Sequence, residues 1–597
     1  MSDGITRRDA LKVLGAAGAS SILPRDLALP SLAPRTVPIL PLTSTSEVFV
    51  PSRGRAYDKF SFDFPEPSVA LGALRFGFLV FTYENAYALD PERMTAERTD
   101  DGLTISCHGF TWAGGQERAP GTLTARFRQT ADAVEWDTTV EMPQPVKAVT
   151  TVIRGVPRGK ISSAGTPFVD FHDNEVLLGY PFSGGDLFGP GEAGSMSTPL
   201  AVIQRSESDF FFLSSLDDRV RAKRFYFQPG EQSYRVEAVF ETEGWTEQRR
   251  VDVPRWRVGS APSIEVAARS HMEHVRRAYD IPDWDTRADV PPWMRRIALV
   301  ATLHGMHYTG YVFNDYARMR EILRWIATQM PGERVLAFIS AWDGRYYWDY
   351  PAYRPAARLG GDAGFRALVR EAKALGVRIM PMFGANAANR REKSFPPLAG
   401  AATSKIDGDR FDITWVDWDN DHHQEGWLSY MNLGVDAWRE WLRDRIAETI
   451  TRYDVDAYFL DIAGGWVNNT RADMHAGMQR LVAELRAAHP HVLACGEMHY
   501  DALLGFIPLY HSFGQWAIRS EVQRSGRFFQ HLSHPAPGRG SSGVHESGFN
   551  RWDPDTLSLR EGQIPTLNVV DDTFTTQREA MAAVIRKAME MAGSGAS

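Results

Sequence analysis

The sequence predicts a multidomain protein, an N-terminal antiparallel β-sandwich followed by a C-terminal (β/α)8 TIM barrel. Three observations carry that prediction. Between about Glu47 and Ser270, short alternating apolar runs recur every 8–12 residues or so, broken by Gly, Pro, Asp and Asn, the pattern of a sandwich. From Ile297 onward, apolar strand-like runs alternate with amphipathic helical runs, which implies a parallel sheet. The change of pattern falls in Ile281 to Pro292, a stretch rich in Pro, Asp and Trp. The expected boundaries are a signal and linker over 1–36, the sandwich over 37–280 and the barrel over 281–597.

The N-terminus opens with Thr6-Arg7-Arg8-Asp9-Ala10-Leu11-Lys12 before a weakly apolar run from Val13 to Leu23. Paired arginines ahead of a short, small-residue apolar segment read as a twin-arginine signal, with a periplasmic or secreted destination. Pro24 to Pro41 is an aperiodic Pro/Leu-rich linker. Sandwich strands are expected at Leu74–Phe81, Leu103–Cys107, Thr122–Phe127, Val134–Val140 and Tyr234–Phe240.

In the barrel, strands are expected at Ile297–Leu303, Val335–Ala341, Val377–Phe383, Ala457–Leu460 and Val492–Gly496, then at Phe506–Tyr510, Phe528–Leu532 and Ile564–Val570. Met319, Ile322, Leu323 and Ile326 mark one intervening helix at helical spacing, and Met474, Met478, Leu481, Val482 and Leu485 another. Arg578 to Met591 would be the closing helix. A doubly wound open sheet is the competing arrangement; no Gly-rich phosphate loop follows any strand, which argues against its nucleotide-binding form and calls for no cofactor.

Composition narrows the function classes. The chain of 597 residues is 43% apolar and 23% charged with a formal net charge of −8, which gives no reason to expect nucleic acid or an anionic membrane as partner. No internal stretch is long and apolar enough to span a membrane. Seventeen Trp among many Tyr and Phe suit large cores, and suit clefts that stack flat apolar rings on sugars. Only Cys107 and Cys495 occur, in different domains, so no disulfide framework is expected. Oligomeric state is not legible.

Active sites of such barrels lie at the C-terminal strand ends. Those ends present His304 and His307, then Trp342 and Asp343, then Asn386, then Asp461, then Glu497 and His499, and finally Asp571 and Asp572. Asp461 and Glu497 follow consecutive apolar strands. Strands ~4.8 Å apart bring side chains at their tips near the ~5–5.5 Å carboxyl separation of a retaining glycosidase. The alternative is a loop-capping Asp461 and a Glu497 paired with an arginine.

Asp454-Val455-Asp456-Ala457-Tyr458-Phe459-Leu460-Asp461, followed by Gly496-Glu497, resembles the strand-four and strand-five pattern of retaining α-glycoside hydrolases: the α-amylase clan, dextranases and endo-α-N-acetylgalactosaminidases. Met431-Asn432-Leu433-Gly434 running into Trp438-Arg439-Glu440-Trp441-Leu442 resembles the segment before strand four in such barrels. The resemblance implies Asp461 as nucleophile, Glu497 as general acid/base and an oligo- or polysaccharide substrate. Phe459 stands where the α-amylase clan has an arginine, and no clear His-Asp pair closes strand seven.

His304, His307, Trp342, Asp343, Asn386, His499, Asp571 and Asp572 are the candidates to bind sugar hydroxyls or stack on rings; the alternatives are strand-end polar packing for His304 and His307, a loop packed on its own aromatics for Asp343, and a turn for Asn386. Asn389 reads as a turn residue. Glu546, Asp571 or Asp572 could replace the missing transition-state stabiliser. Asp417 to His423 spaces its carboxylates like a calcium loop, but His422 replaces the required Gly and the terminal Glu is absent, so no metal site is assigned. Two further functions stay open: an inverting hydrolase or transglycosylase on the same barrel, and a non-catalytic carbohydrate-binding protein.

Overall fold

The computed structural model describes residues 35–40, 66–99, 102–163, 168–181, 193–345, 348–413, 419–422, 427–497, 500–512, 519–530, 563–570 and 572–594. The twin-arginine segment, His499, Asp571, Glu546 and the Asp417, Trp418 and His423 positions of the acidic cluster lie outside them.

Two antiparallel sheets form the N-terminal part. One has nine strands, with Thr122–Gln129, Ala133–Glu141 and Arg250–Ala261 adjacent at its centre. The other has eleven, centred on Val146–Pro157 between Leu74–Thr82 and Ser233–Glu241. Among the described residues every pairing in these sheets is antiparallel except that of Val176–Tyr180 with Ala193–Ser195. Alternation explains the packing: in Gly102–Cys107 each second side chain is buried, as expected of strands with one face on a core. The inner faces interlock through aromatic edges. Phe76 meets Phe127 with ring centroids 4.8 Å apart, Phe225 meets Trp256 at 5.5 Å, and the Trp136 indole donates across to Thr151 Oγ1 at 3.0 Å.

After the last of these strands the chain enters a helix, Ile264–Ala278, so sandwich-like patterning ends at Ala261 rather than Ser270. Ser263 caps it, and Ala267, Ala268, His271, Met272 and Val275 form its buried stripe.

The barrel strands are Leu299–Leu303, Val335–Ile339, Arg378–Gly384, Ala457–Asp461, Leu493–Glu497, Leu509–Ser512, Arg527–Gln530 and a last run from Gln563 to Val569 interrupted at Pro565. All neighbours are parallel. The last run pairs with strand seven through Gln563–Ile564 and with strand one through Thr566–Val569, carrying the pairing round the ring. This disposes of the open doubly wound sheet. Described residues in the first five strands are almost wholly buried, which explains why they read as continuous apolar runs rather than alternations.

The sixth strand begins at Leu509, three residues later than the apolar run suggested. A 3-10 turn over Asp501–Gly505 and Pro508, which has no N–H to give, delay the pairing. The barrel interior holds Phe338, Phe459, Phe529 and His511; Phe338 and Phe459 are 4.4 Å apart. Phe459 therefore fills the barrel centre with packing where the α-amylase clan has a charge. Helices are started by short polar residues: Asp315 accepts from the Arg318 amide at 2.7 Å and Asp473 from the Ala476 amide at 3.0 Å. A small sheet of Ala387–Asn389, Asp412–Ile413 and Leu428–Tyr430 lies after strand three and was not foreseen.

Candidate active site

Strands three, four and five set the site. Gly384 pairs with Asp461, Leu460 with Gly496, and Glu497 with His511, so Asp461 and Glu497 stand side by side at the ends of adjacent strands. Both are buried, Asp461 completely and Glu497 to within 2%. The residue between strand four and its loop, Ile462, has φ 58°, a left-handed conformation that costs a β-branched residue about 1–3 kcal/mol. Its amide explains the strain: it donates to Glu497 Oε2 at 3.0 Å, tying the end of strand four to the strand-five carboxyl.

Neither oxygen of Asp461 has a hydrogen-bond partner at normal geometry among the described residues. Burial is the chief cause pushing its carboxyl well above the ordinary range, and the adjacent Glu497 adds to it; Tyr350 and the Ile462 amide oppose. Burial also raises Glu497, against opposition from its bonds. Two carboxyls buried side by side titrate as a unit, and burial disfavours the doubly ionised pair.

Tyrosines enclose the pair, and the sequence reading passed over them. Tyr350 lies on the backbone of Gly384, where a Cβ would come within 2.4 Å of its ring. Tyr353 donates to the Gly384 carbonyl at 3.0 Å and accepts from its amide at 3.1 Å. Tyr430 comes from the small sheet, and its hydroxyl sits over Gly465, where a Cβ would be 1.7 Å away. Burial raises the Tyr430 phenol, with both catalytic-candidate carboxylates adding to the shift. Glycine at 384 and 465 is what admits these rings.

The other sequence candidates divide. Asp343 is 8% exposed, its Oδ2 has no hydrogen-bond partner, and burial pushes its carboxyl up to about 8. Burial raises the Tyr353 hydroxyl, and the charges of Asp343 and Asp461 add to the shift. His304 is buried with Nδ1 3.1 Å from Ser340 Oγ, and His307 has Nδ1 2.7 Å from Thr309 Oγ1. Trp342 is fully buried, stacks on Phe365 at 4.9 Å and donates to the Met382 carbonyl at 2.8 Å. Asn386 is buried at the end of strand three. It donates to the carbonyls of Ile462 at 2.9 Å and Gly465 at 3.3 Å, holding the strand-four loop. Asn389 donates to the Trp348 carbonyl at 2.7 Å. Asp572 starts the short helix Thr573–Thr576 after strand eight.

Asp419, Asn420, Asp421 and His422 of the acidic cluster are exposed, and among the described residues no group of three His, Cys, Asp or Glu is placed to hold a metal. Cys107 and Cys495 are buried free thiols in different sheets, and no described helix is long and apolar enough to cross a membrane. Beside the strand-four loop, a cleft of about 480 Å³ lined by Tyr83, Lys147, Lys405 and Trp466 opens between sandwich and barrel.

No known family model matches the sequence, and no curated protein matches it. Solved structures do. The α-N-acetylgalactosaminidase NagBb from Bifidobacterium bifidum, in complex with GalNAc, superposes with a TM-score of 0.63 at 13% identity, over 89% of this chain and 92% of that one. A GH31 family sulfoquinovosidase from E. rectale gives 0.52 at 12% identity, over 89% and 82%. The chain therefore has the two-part fold of these glycoside hydrolases.

Proposed function

We propose that the protein is a glycoside hydrolase that cleaves an α-linked glycan with net retention, using Asp461 as nucleophile and Glu497 as general acid/base. The observation that carries the reading is a pair of buried carboxyls on adjacent strand ends, in a fold it shares with α-glycosidases. A proton retained by such a pair suits the chemistry. As positive charge grows on the anomeric carbon, the ionised form of Asp461 is favoured and the proton resides on Glu497, beside the departing oxygen.

In the first step an Asp461 oxygen bonds to the anomeric carbon while the bond to the leaving oxygen breaks and takes up the Glu497 proton. In the second, Glu497 removes a proton from water, the water oxygen replaces Asp461 at carbon, and the sugar departs with its original configuration. Asp343, kept protonated by burial, is suited to donate a hydrogen bond to a sugar hydroxyl.

Hydrolysis of a panel of aryl α- and β-glycosides, followed by proton NMR of the first-formed anomer, tests this. The α-anomer should appear first, and Asp461→Asn should abolish turnover; turnover surviving in both Asp461→Asn and Glu497→Gln would refute it. We also propose export on the Arg7-Arg8 signal, supported by its sequence pattern alone. Replacing both arginines by lysine should leave precursor in the cytoplasm, and undiminished export would count against it.

A further inference from the structure

We propose that the antiparallel domain sets the spacing of the two catalytic carboxyls, because one row of its sheet anchors both loops that follow them. The inference rests on the glycosidase reading above.

The first anchor holds the loop after strand five. Asp501, four residues beyond Glu497, is buried and belongs to no step of the proposed chemistry. Its Oδ1 accepts from Tyr180 Oη at 2.6 Å and its Oδ2 from Thr198 Oγ1 at 2.6 Å, both from the antiparallel domain. The Ala502 amide donates to Oδ1 at 2.8 Å, and the Asp501 amide itself donates to the Ser197 carbonyl at 2.7 Å. Thr198 spends its single proton on Asp501, so its oxygen accepts from His271 Nε2 at 2.6 Å. Burial keeps that imidazole neutral, with its pKa lowered to about 3. A dry carboxylate held by two hydroxyls and a backbone amide, with its own amide committed too, has little freedom to shift.

The second anchor holds the loop after strand four. Asn468, seven residues beyond Asp461, donates from Nδ2 to Glu241 Oε1 at 2.8 Å and to the Thr242 carbonyl at 2.7 Å. Its Oδ1 accepts from the Gly244 amide at 2.8 Å. Backbone meets backbone here, since a Cβ at Gly244 would lie 2.6 Å from the Asn469 carbonyl oxygen.

Both anchors stand on one sheet, with a single strand between them. Tyr180 pairs with Lys223, and Lys223 pairs with Phe240, next to Glu241. The anchors are thus two strand spacings apart, ~9–10 Å. Lys223, in the middle of the row, is fixed by Asp217 at 2.9 Å and lies 5.0 Å from the Tyr180 ring centroid. A hydrogen-bonded sheet row resists stretching far better than a loop does, so it acts as a ruler for the barrel mouth.

Leaving-group dependence in the full-length protein separates positioning from general weakening. A 2,4-dinitrophenyl leaving group needs no proton, whereas phenyl and alkyl leaving groups need Glu497. Tyr180→Phe and Thr198→Val should each lose about 10²-fold in kcat/KM on phenyl and alkyl α-glycosides and almost nothing on the dinitrophenyl one. Thr198→Ser should restore activity, because it keeps the hydroxyl. Asn468→Ala should lose equally across all leaving groups, because Asp461 must attack in every case. A steep profile for Glu497→Gln beside a flat one for Tyr180→Phe and Thr198→Val would overturn this inference alone. A flat profile for Glu497→Gln itself would overturn the acid/base reading, and this inference with it.

Discussion

At the scale of residues, the proposed chemistry turns on protons held by buried carboxyls. Asp461 and Glu497 retain a proton above the ordinary carboxylate range because burial and their mutual proximity both disfavour the doubly charged pair. The pH profile of kcat/KM should therefore be bell-shaped, with its alkaline limb set by loss of that proton, and Glu497→Gln should remove the alkaline limb. Asp343 gives a stability prediction. Its folded-state pKa of about 8 lies above the ordinary aspartate value of 3.8, so between those values the folded state binds a proton that the unfolded state has lost. Its contribution is present below about pH 4 and is lost as pH rises to about 8. Asp343→Asn should then gain in melting temperature relative to wild type as pH is raised from 5 to 8; a constant difference would contradict it. Asp461, Glu497 and Asp343 were all legible in the sequence because each follows a strongly apolar strand. Tyr350, Tyr353 and Tyr430 were not, since they lie in connections whose route back to the mouth leaves no local pattern. The Trp342 contact with Phe365 was not legible either, because an aromatic at a strand end reads alike whether it faces a sugar or another ring.

At the scale of elements, glycines at strand ends admit the aromatic walls of the site. Gly384 closes strand three and carries the Tyr350 ring against its backbone. Gly384→Ala should displace Tyr350 at a cost of about 1–3 kcal/mol and reduce kcat, while circular dichroism remains native. Unchanged kcat would show that Tyr350 does not shape the site. Strands one to five could be read from sequence because full burial makes them uninterrupted apolar runs. Strand six was displaced by Pro508 and the preceding 3-10 turn, and the small sheet of Ala387–Asn389, Asp412–Ile413 and Leu428–Tyr430 was missed because its strands are two or three residues long. Short strands carry too few alternations to signal a period.

At the scale of the whole molecule, sandwich and barrel are joined by buried hydrogen bonds rather than by a linker alone. Tyr180 and Asp501 are 321 positions apart, and Asn468 and Glu241 227 apart, so no sequence window contains either contact. The division into two architectures was legible; their joining was not. Because the bonds at Asp501 and Asn468 are buried and several are charge-assisted, each worth about 1.5–3 kcal/mol, calorimetry should show one cooperative transition. Two separated transitions in the wild type would show that the domains melt independently.

The central claim is that Asp461 forms the bond to sugar. Its most direct measurement is peptide mass spectrometry after incubation with a panel of 5-fluoro-α-glycosyl fluorides, which form the glycosyl-enzyme faster than they release it. The account predicts one added glycosyl mass, on the peptide containing Asp461. A label on the peptide containing Glu497 would reverse the two roles, and turnover with inversion and no label would contradict the mechanism.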